Sequence, residues 1–185
     1  MALKATIFKA ELQIADLDRG YYQTHQLTLA RHPSENDERL MVRLLAFALH
    51  ADEDLQFTKG LCADDEPELW LKGPTGEIDL WIEVGAPDEK RIRKACNRAR
   101  RVLVYSYGGR GNGVWWSQVR DKLDRFGNLA VFNLPKPATD ALALMAERNL
   151  RLQCTIQDGA AWLSDAARNV QVEPEIWLEF GGSGL

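Results

Sequence analysis

The chain has 185 residues, 45% of them apolar and 27% charged, with 23 Lys and Arg against 27 Asp and Glu. This length and composition suit a single domain with a substantial core and exclude disordered or fibrous chains. The net charge of −4 leaves any contact with nucleic acid to a local patch, and apolar runs of only a few residues exclude a membrane-spanning segment.

The opening residues MALKATIFKAELQ alternate and lack the apolar centre of a secretory signal, so a cytoplasmic protein is expected. Residues 3–14 read as a strand, and 21–31 return as its hairpin partner across a turn at Asp16, Asp18 and Gly20. Ser34 with Asp37 resembles a capping box, and the stripe Met41, Leu44, Leu45, Ala48 predicts a helix over 35–50. Three strands follow, at 55–61, 68–72 and 77–84, the last two joined through Gly73-Pro74-Thr75-Gly76 as an antiparallel hairpin.

Pro87 and the acids Asp88 and Glu89 open a second helix reaching about Arg101, with Ile92, Ala95, Cys96 and Ala99 inward. The apolar run 102–107 reads as a strand buried on both faces. After a glycine loop at 108–113 come a short helix over 115–123, a strand at 129–134 and a helix at 138–148. Residues 150–180 return to strands around an Asp158-Gly159 turn, and GGSGL reads as a frayed end. The order predicts an α/β (α+β) domain spanning 1–185, its core at about 35–148. A flanking β subdomain is built from 1–32 and 150–180, whose strands pair with each other. The crossover helix after 77–84 places 102–107 parallel to a neighbouring strand.

Cys62, Cys96 and Cys154 form no CxxC pair, and the three histidines cannot complete a zinc set. Buried free thiols are expected. Chemistry must then come from carboxylates, lysines and a hard metal. A hairpin register sum near 149 sets Glu66 opposite Glu83, with Asp65 taking that place if the register slips by one. Facing carboxylates lie about 5 Å apart at Cβ and attract a cation such as Mg²⁺ or Mn²⁺; the alternative is a solvated loop and an exposed Glu83. Asp79 shares the face of Glu83 but stands roughly 13 Å away, more suited to a polar neighbour or to solvent. Glu38 projects toward the core face of the first helix, either as a third converging acid or simply as a partner of the helix dipole.

Lys90, Arg91, Arg93, Lys94, Arg98, Arg100 and Arg101 make the second helix strongly basic. Arg91, Arg93 and Arg98 flank its buried stripe, while Lys90 and Lys94 face outward. This surface suits phosphate, or else is a solvated face balanced by nearby acids. Among six tryptophans, Trp115-Trp116 after the glycine loop offer one ring that could stack on a ligand. The loop itself fits neither GxGxxG nor a P-loop.

Long segments, among them LTLARHPSENDERL at 27–40, LQFTKGLCADDEPELWL at 55–71 and IDLWIEVGAPDEKRIRKA at 78–95, closely resemble the YaeQ family of bacterial proteins. That resemblance implies a variation on the restriction-endonuclease-like PD-(D/E)XK core, α–βββ–α–β. In that superfamily one acid on the second core strand and one on the third bind Mg²⁺, and a lysine two residues after the second acid activates water. The matching positions here are Asp65 or Glu66 and Glu83 as metal ligands, with Gly85 where the lysine belongs. Lys90 or Lys94 is placed to substitute for it from the next helix, and Glu38 resembles the superfamily's first-helix acid. Two functions stay open: a divalent-metal-dependent nuclease or phosphodiesterase, and a nucleic-acid-binding or scaffold protein that retains the fold without the chemistry. A small-molecule binder using the tryptophan surface is a third.

Overall fold

A computed structural model describes residues 4–59 and 65–181. Cys62, the end of the strand expected at 55–61, and most of the GGSGL tail lie outside the described residues. The chain divides into two compact units, Met1–Asp52 with Pro137–Pro174, and Glu53–Lys136 with Glu175–Leu185.

The first unit is built on a five-stranded mixed sheet ordered β10-β9-β8-β1-β2. Its strands are β1 (Thr6–Asp16), β2 (Tyr21–Arg31), β8 (Asn149–Gln157), β9 (Ala160–Ser164) and β10 (Asn169–Val172). Alternation decides which face is covered: Phe8, Ala10, Leu12 and Ile14 are buried while Lys9, Glu11 and Gln13 are exposed. The hairpin β1–β2 runs in unbroken register from Thr6↔Arg31 to Asp16↔Tyr21. The expected pairing of the two termini is present, with β1 running parallel to β8 from Lys9↔Asn149 to Asp16↔Ile156.

Helix α1 (Asp37–Leu49) starts later than its capping-box signal. Asn36 is the cap, its side chain accepting from the Arg39 amide at 2.9 Å, while Ser34 turns back onto the His32 ring at 2.6 Å. Leu40, Met41, Leu44, Leu45 and Ala48 have no exposure. Arg43 on the same helix forms a buried ion pair with Glu35 at 3.0 Å. Although the sequence groups this helix with the following strands, α1 belongs to the first unit together with most of α4 (Lys136–Ala143).

The second unit carries a six-stranded sheet ordered β11-β7-β6-β5-β4-β3. It comprises β3 (Leu55–Phe57), β4 (Leu69–Lys72), β5 (Ile78–Val84), β6 (Ala99–Ser106), β7 (Leu129–Asn133) and β11 (Glu175–Leu178). The strands β5, β6 and β7 are parallel, as crossovers through α2 (Glu89–Arg98) and α3 (Arg110–Leu123) require. The outer strands β3, β4 and β11 run antiparallel to their neighbours. Trp81, Ile92, Val102, Val104, Leu123, Leu129 and Val131 fill the core of this unit.

Helix α2 is shorter than expected because Ala99 already has extended φ and ψ and opens β6 with no intervening loop. The Asn128 amide secures that junction, donating to the carbonyls of Cys96 and Ala99 at 2.9 and 3.0 Å. The C-terminal strands separate at Pro174. Only β8–β10 join the first sheet, while β11 pairs with β7 and stacks Trp177 on Trp116 at 5.4 Å. The architecture is therefore mixed α+β, with two mixed sheets and four helices among the described residues. No described helix is long and apolar enough to cross a membrane.

Candidate functional site around Glu83

Glu83 occupies the next-to-last position of β5, where strand alternation turns it to the same side as Trp81. It is 2% exposed. Its Oε1 accepts two hydrogen bonds, one from the Trp81 indole at 2.7 Å and one from Arg91 Nε at 2.9 Å. Burial pushes the Glu83 carboxyl above its usual range, and the Arg91 guanidinium opposes that push without cancelling it.

The observed register pairs Leu69 with Ile82, Trp70 with Trp81 and Leu71 with Leu80, a sum of 151 rather than 149. The acid carried opposite Glu83 is consequently Glu68, not Glu66. The Glu68 amide donates to the Ile82 carbonyl at 3.0 Å, and Glu68 is also 2% exposed. The Glu68 charge adds to the upward push on Glu83. The signal for this register was in the sequence. A sum of 151 matches apolar to apolar along the hairpin and pairs two tryptophans, whereas 149 would have set Trp70 against Asp79.

Helix α2 anchors the segment 65–66 through residues spaced i, i+3 and i+7, which share one helical face. Arg91 Nη2 donates to the Glu66 carbonyl at 2.7 Å, Lys94 pairs with the Asp65 carboxylate, and Arg98 Nη1 donates to the Asp65 carbonyl at 2.7 Å. The Arg98 guanidinium also stands over the Trp81 ring, 5.3 Å from its centroid. Lys94 thus lies on the stripe of Arg91 and Arg98 and not, as expected, on the outer face. Its ammonium holds the Asp65 carboxyl below the usual range. The Glu66 carboxylate is directed elsewhere and accepts from the Lys59 amide at 3.4 Å. Of the remaining cations, Arg93 is paired with Glu89 at 3.6 Å, Arg100 with Asp79 at 3.2 Å, and Lys90 is exposed.

Asp79 is held by Arg100 on β6 and is not drawn toward Glu83. Glu38 lies in the first unit, where its carboxylate accepts from the buried Thr139 hydroxyl at 2.7 Å. Gly85, two residues after Glu83, has φ of 101°, a conformation that a lysine side chain would strain. The expected thiols are free, Cys154 buried and Cys96 half-buried, and burial pushes both up to about 12. Among the described residues, no three His, Cys, Asp or Glu are grouped to hold a metal ion.

The site therefore gathers two buried facing acids, one guanidinium between Glu83 and the 65–66 segment, and a helix whose other cations reach solvent. Residues 1–174 match the family model described as YaeQ protein. The chain is 52% identical to the YaeQ protein of Escherichia coli K12 over 179 residues, covering 97% of this chain and 99% of that one. The relative from Salmonella typhi has the same identity and coverage. A crystal structure of YaeQ from Xanthomonas axonopodis pv. citri superposes with a TM-score of 0.90 at 51% identity, over 94% of this chain and 98% of that one. The structure from Pseudomonas syringae gives 0.90 at 35% identity, over 95% and 97%. This chain belongs to the YaeQ family.

Proposed function

We propose that this protein binds nucleic acid along α2 of a nuclease-like core and does not hydrolyse it. The observation that carries this reading is the Glu83–Arg91 pair. In a metal-dependent nuclease the buried acid would meet a divalent ion; here a guanidinium takes that role and is itself locked to the backbone at Glu66. Arg91 supplies at Glu83 the positive charge that Mg²⁺ or Mn²⁺ would otherwise bring, and Oε1 already accepts from an indole and an arginine. The water-activating lysine position is Gly85, with its positive φ. Lys94 is engaged by Asp65 and Lys90 points to solvent, so neither supplies the missing ammonium.

Phosphate contact falls to Lys90, Arg93, Lys94 and Arg98. The Lys94–Asp65 pair is exposed on both partners and the Arg93–Glu89 pair on its arginine side, and such surface pairs contribute only about 0–1 kcal/mol, so phosphates can replace the carboxylates. Four phosphates neutralised give a slope of log affinity on log salt of about −3.6, roughly a 150-fold loss between 50 and 200 mM salt. Anisotropy titrations with labelled single- and double-stranded DNA and RNA at both salts test this. Charge reversal of Lys90 and Arg93 should flatten the slope with the fold intact. Absence of binding at 50 mM rejects the proposal. Saturable Mn²⁺ binding that is lost in Glu83→Gln, with metal-dependent cleavage, would restore the nuclease reading.

A further inference from the structure

The glycine loop at 108–113 has no part in the Glu83 site. It leaves the carboxyl end of β6, the middle one of the three parallel strands, and runs directly into α3. In open α/β sheets, ligands bind in the crevice beyond the carboxyl ends of the strands. Gly109 is the N-cap of α3 and brings no side chain to cap it. The amides of Asn112 and Gly113 turn back onto the Gly109 carbonyl at 3.1 and 3.3 Å, whereas those of Gly109, Arg110 and Gly111 meet no acceptor among the described residues. A Cβ added at Gly108 or Gly111 would meet nothing within 4 Å, so the backbone there is open to approach. The exposed Arg110 belongs to this turn, and the Lys136 side chain runs beside it, its Cδ 3.4 Å from where a Gly109 Cβ would stand.

Asn112, in the same first turn, is 4% exposed. Helical side chains lean toward the helix start, so its amide lies at the level of the open backbone amides. Two hydrogen bonds fix which way that amide faces. The Glu175 carboxylate accepts from Asn133 Nδ2 at 2.8 Å, which leaves Asn133 Oδ1 to accept from Asn112 Nδ2 at 2.6 Å. Asn112 Oδ1 is therefore turned away from Asn133, and no donor among the described residues reaches it. Flipping the amide would only set two carbonyl oxygens against each other. A buried acceptor without a donor is costly, and this one stands beside three donors without acceptors.

We propose that the start of α3 binds a small phosphate monoester that carries a hydroxyl group. The phosphate accepts from the Gly109, Arg110 and Gly111 amides, where the helix dipole and the Arg110 and Lys136 cations favour a dianion. The hydroxyl donates to Asn112 Oδ1. An ester without a donor satisfies the amides alone, because Asn112 offers an oxyanion only a second acceptor.

Titration of the nitrogen-15-labelled full chain at pH 7 with glycerol 3-phosphate and with methyl phosphate, followed by amide shifts and calorimetry, tests the proposal. Both esters should give saturable shifts centred on Gly109, Arg110 and Gly111. Glycerol 3-phosphate should bind about tenfold more tightly, since it alone brings a donor to the buried acceptor. Asn112→Ala should abolish that preference while methyl phosphate still binds. Arg110→Glu with Lys136→Glu should weaken both esters about tenfold or more. Both of these side chains are exposed, so this variant decides the matter even if Asn112→Ala does not fold. No saturable shift with about 10 mM of either ester overturns the proposal. So do equal affinities for the two esters, and so does binding that responds to charge reversal of Lys90 and Arg93 instead, which would place the phosphate on α2.

Discussion

Replacing Arg91 with methionine would remove the guanidinium from Glu83 while keeping much of the aliphatic volume. Stripping one partner from a buried ion pair costs about 3–5 kcal/mol. Arg91 keeps 26% of its side chain exposed, so the lower figure of about 3 kcal/mol applies at pH 8. For a chain of this size that lowers Tm by roughly 6–12 °C. The pH dependence is more diagnostic than the size. Burial holds the Glu83 carboxyl above its usual value of 4.5, so the folded chain takes up this proton more readily than the unfolded one. The group's contribution to stability is therefore greatest below that unfolded value and declines as pH rises through the folded one. Without Arg91 the folded value rises further, so the loss in Arg91→Met should be small at pH 5 and grow toward pH 8. Urea unfolding at both pH values measures it, and Glu83→Gln combined with Arg91→Met should recover most of the loss. An equal loss at both pH values, or one under about 1 kcal/mol at pH 8, would refute the assignment of Arg91 as the counterion of Glu83.

Glu68→Gln removes the charge facing Glu83, so the Glu83 midpoint should fall in carboxyl carbon-13 titrations; an unchanged midpoint would separate the two acids. Gly85→Lys should cost about 1–3 kcal/mol because of its positive φ, measured by urea unfolding, and should confer no Mg²⁺-dependent cleavage. In a Cys62→Ser background the folded chain should not react with thiol reagents at pH 8, since Cys96 and Cys154 are pushed up to about 12. Two thiols should appear on unfolding.

Period and turn chemistry made most elements legible in the sequence. Alternation along 6–16, the stripe Met41-Leu44-Leu45-Ala48 and the apolar run at 102–107 each depend on local burial, which a sequence records directly. The crossover rule likewise anticipated the parallel β5–β6 pair. What escaped was set by non-local pairing. Glu68 was missed because a register shift of two residues changes which acid faces Glu83, while both registers keep the same faces buried. Lys94 was placed outward because the helical wheel does not show the Asp65 carboxylate that draws it in. The membership of β11 in the second sheet depended on Pro174 and on Trp116 awaiting Trp177, neither of which is visible as a period.

The parallel pair β1–β8 also has a consequence for synthesis. These strands lie about 130 residues apart in the chain, so at typical elongation rates β1 waits roughly 7–26 s for its partner to be made. During that interval the hairpin β1–β2 presents two open edges, one of them the edge of β1 that β8 will pair. Large sequence separation also slows closure after release. The N-terminal hairpin is thus the segment of a newborn chain most in need of shelter, and refolding yield in vitro should fall with protein concentration faster than the stability of the finished fold would suggest.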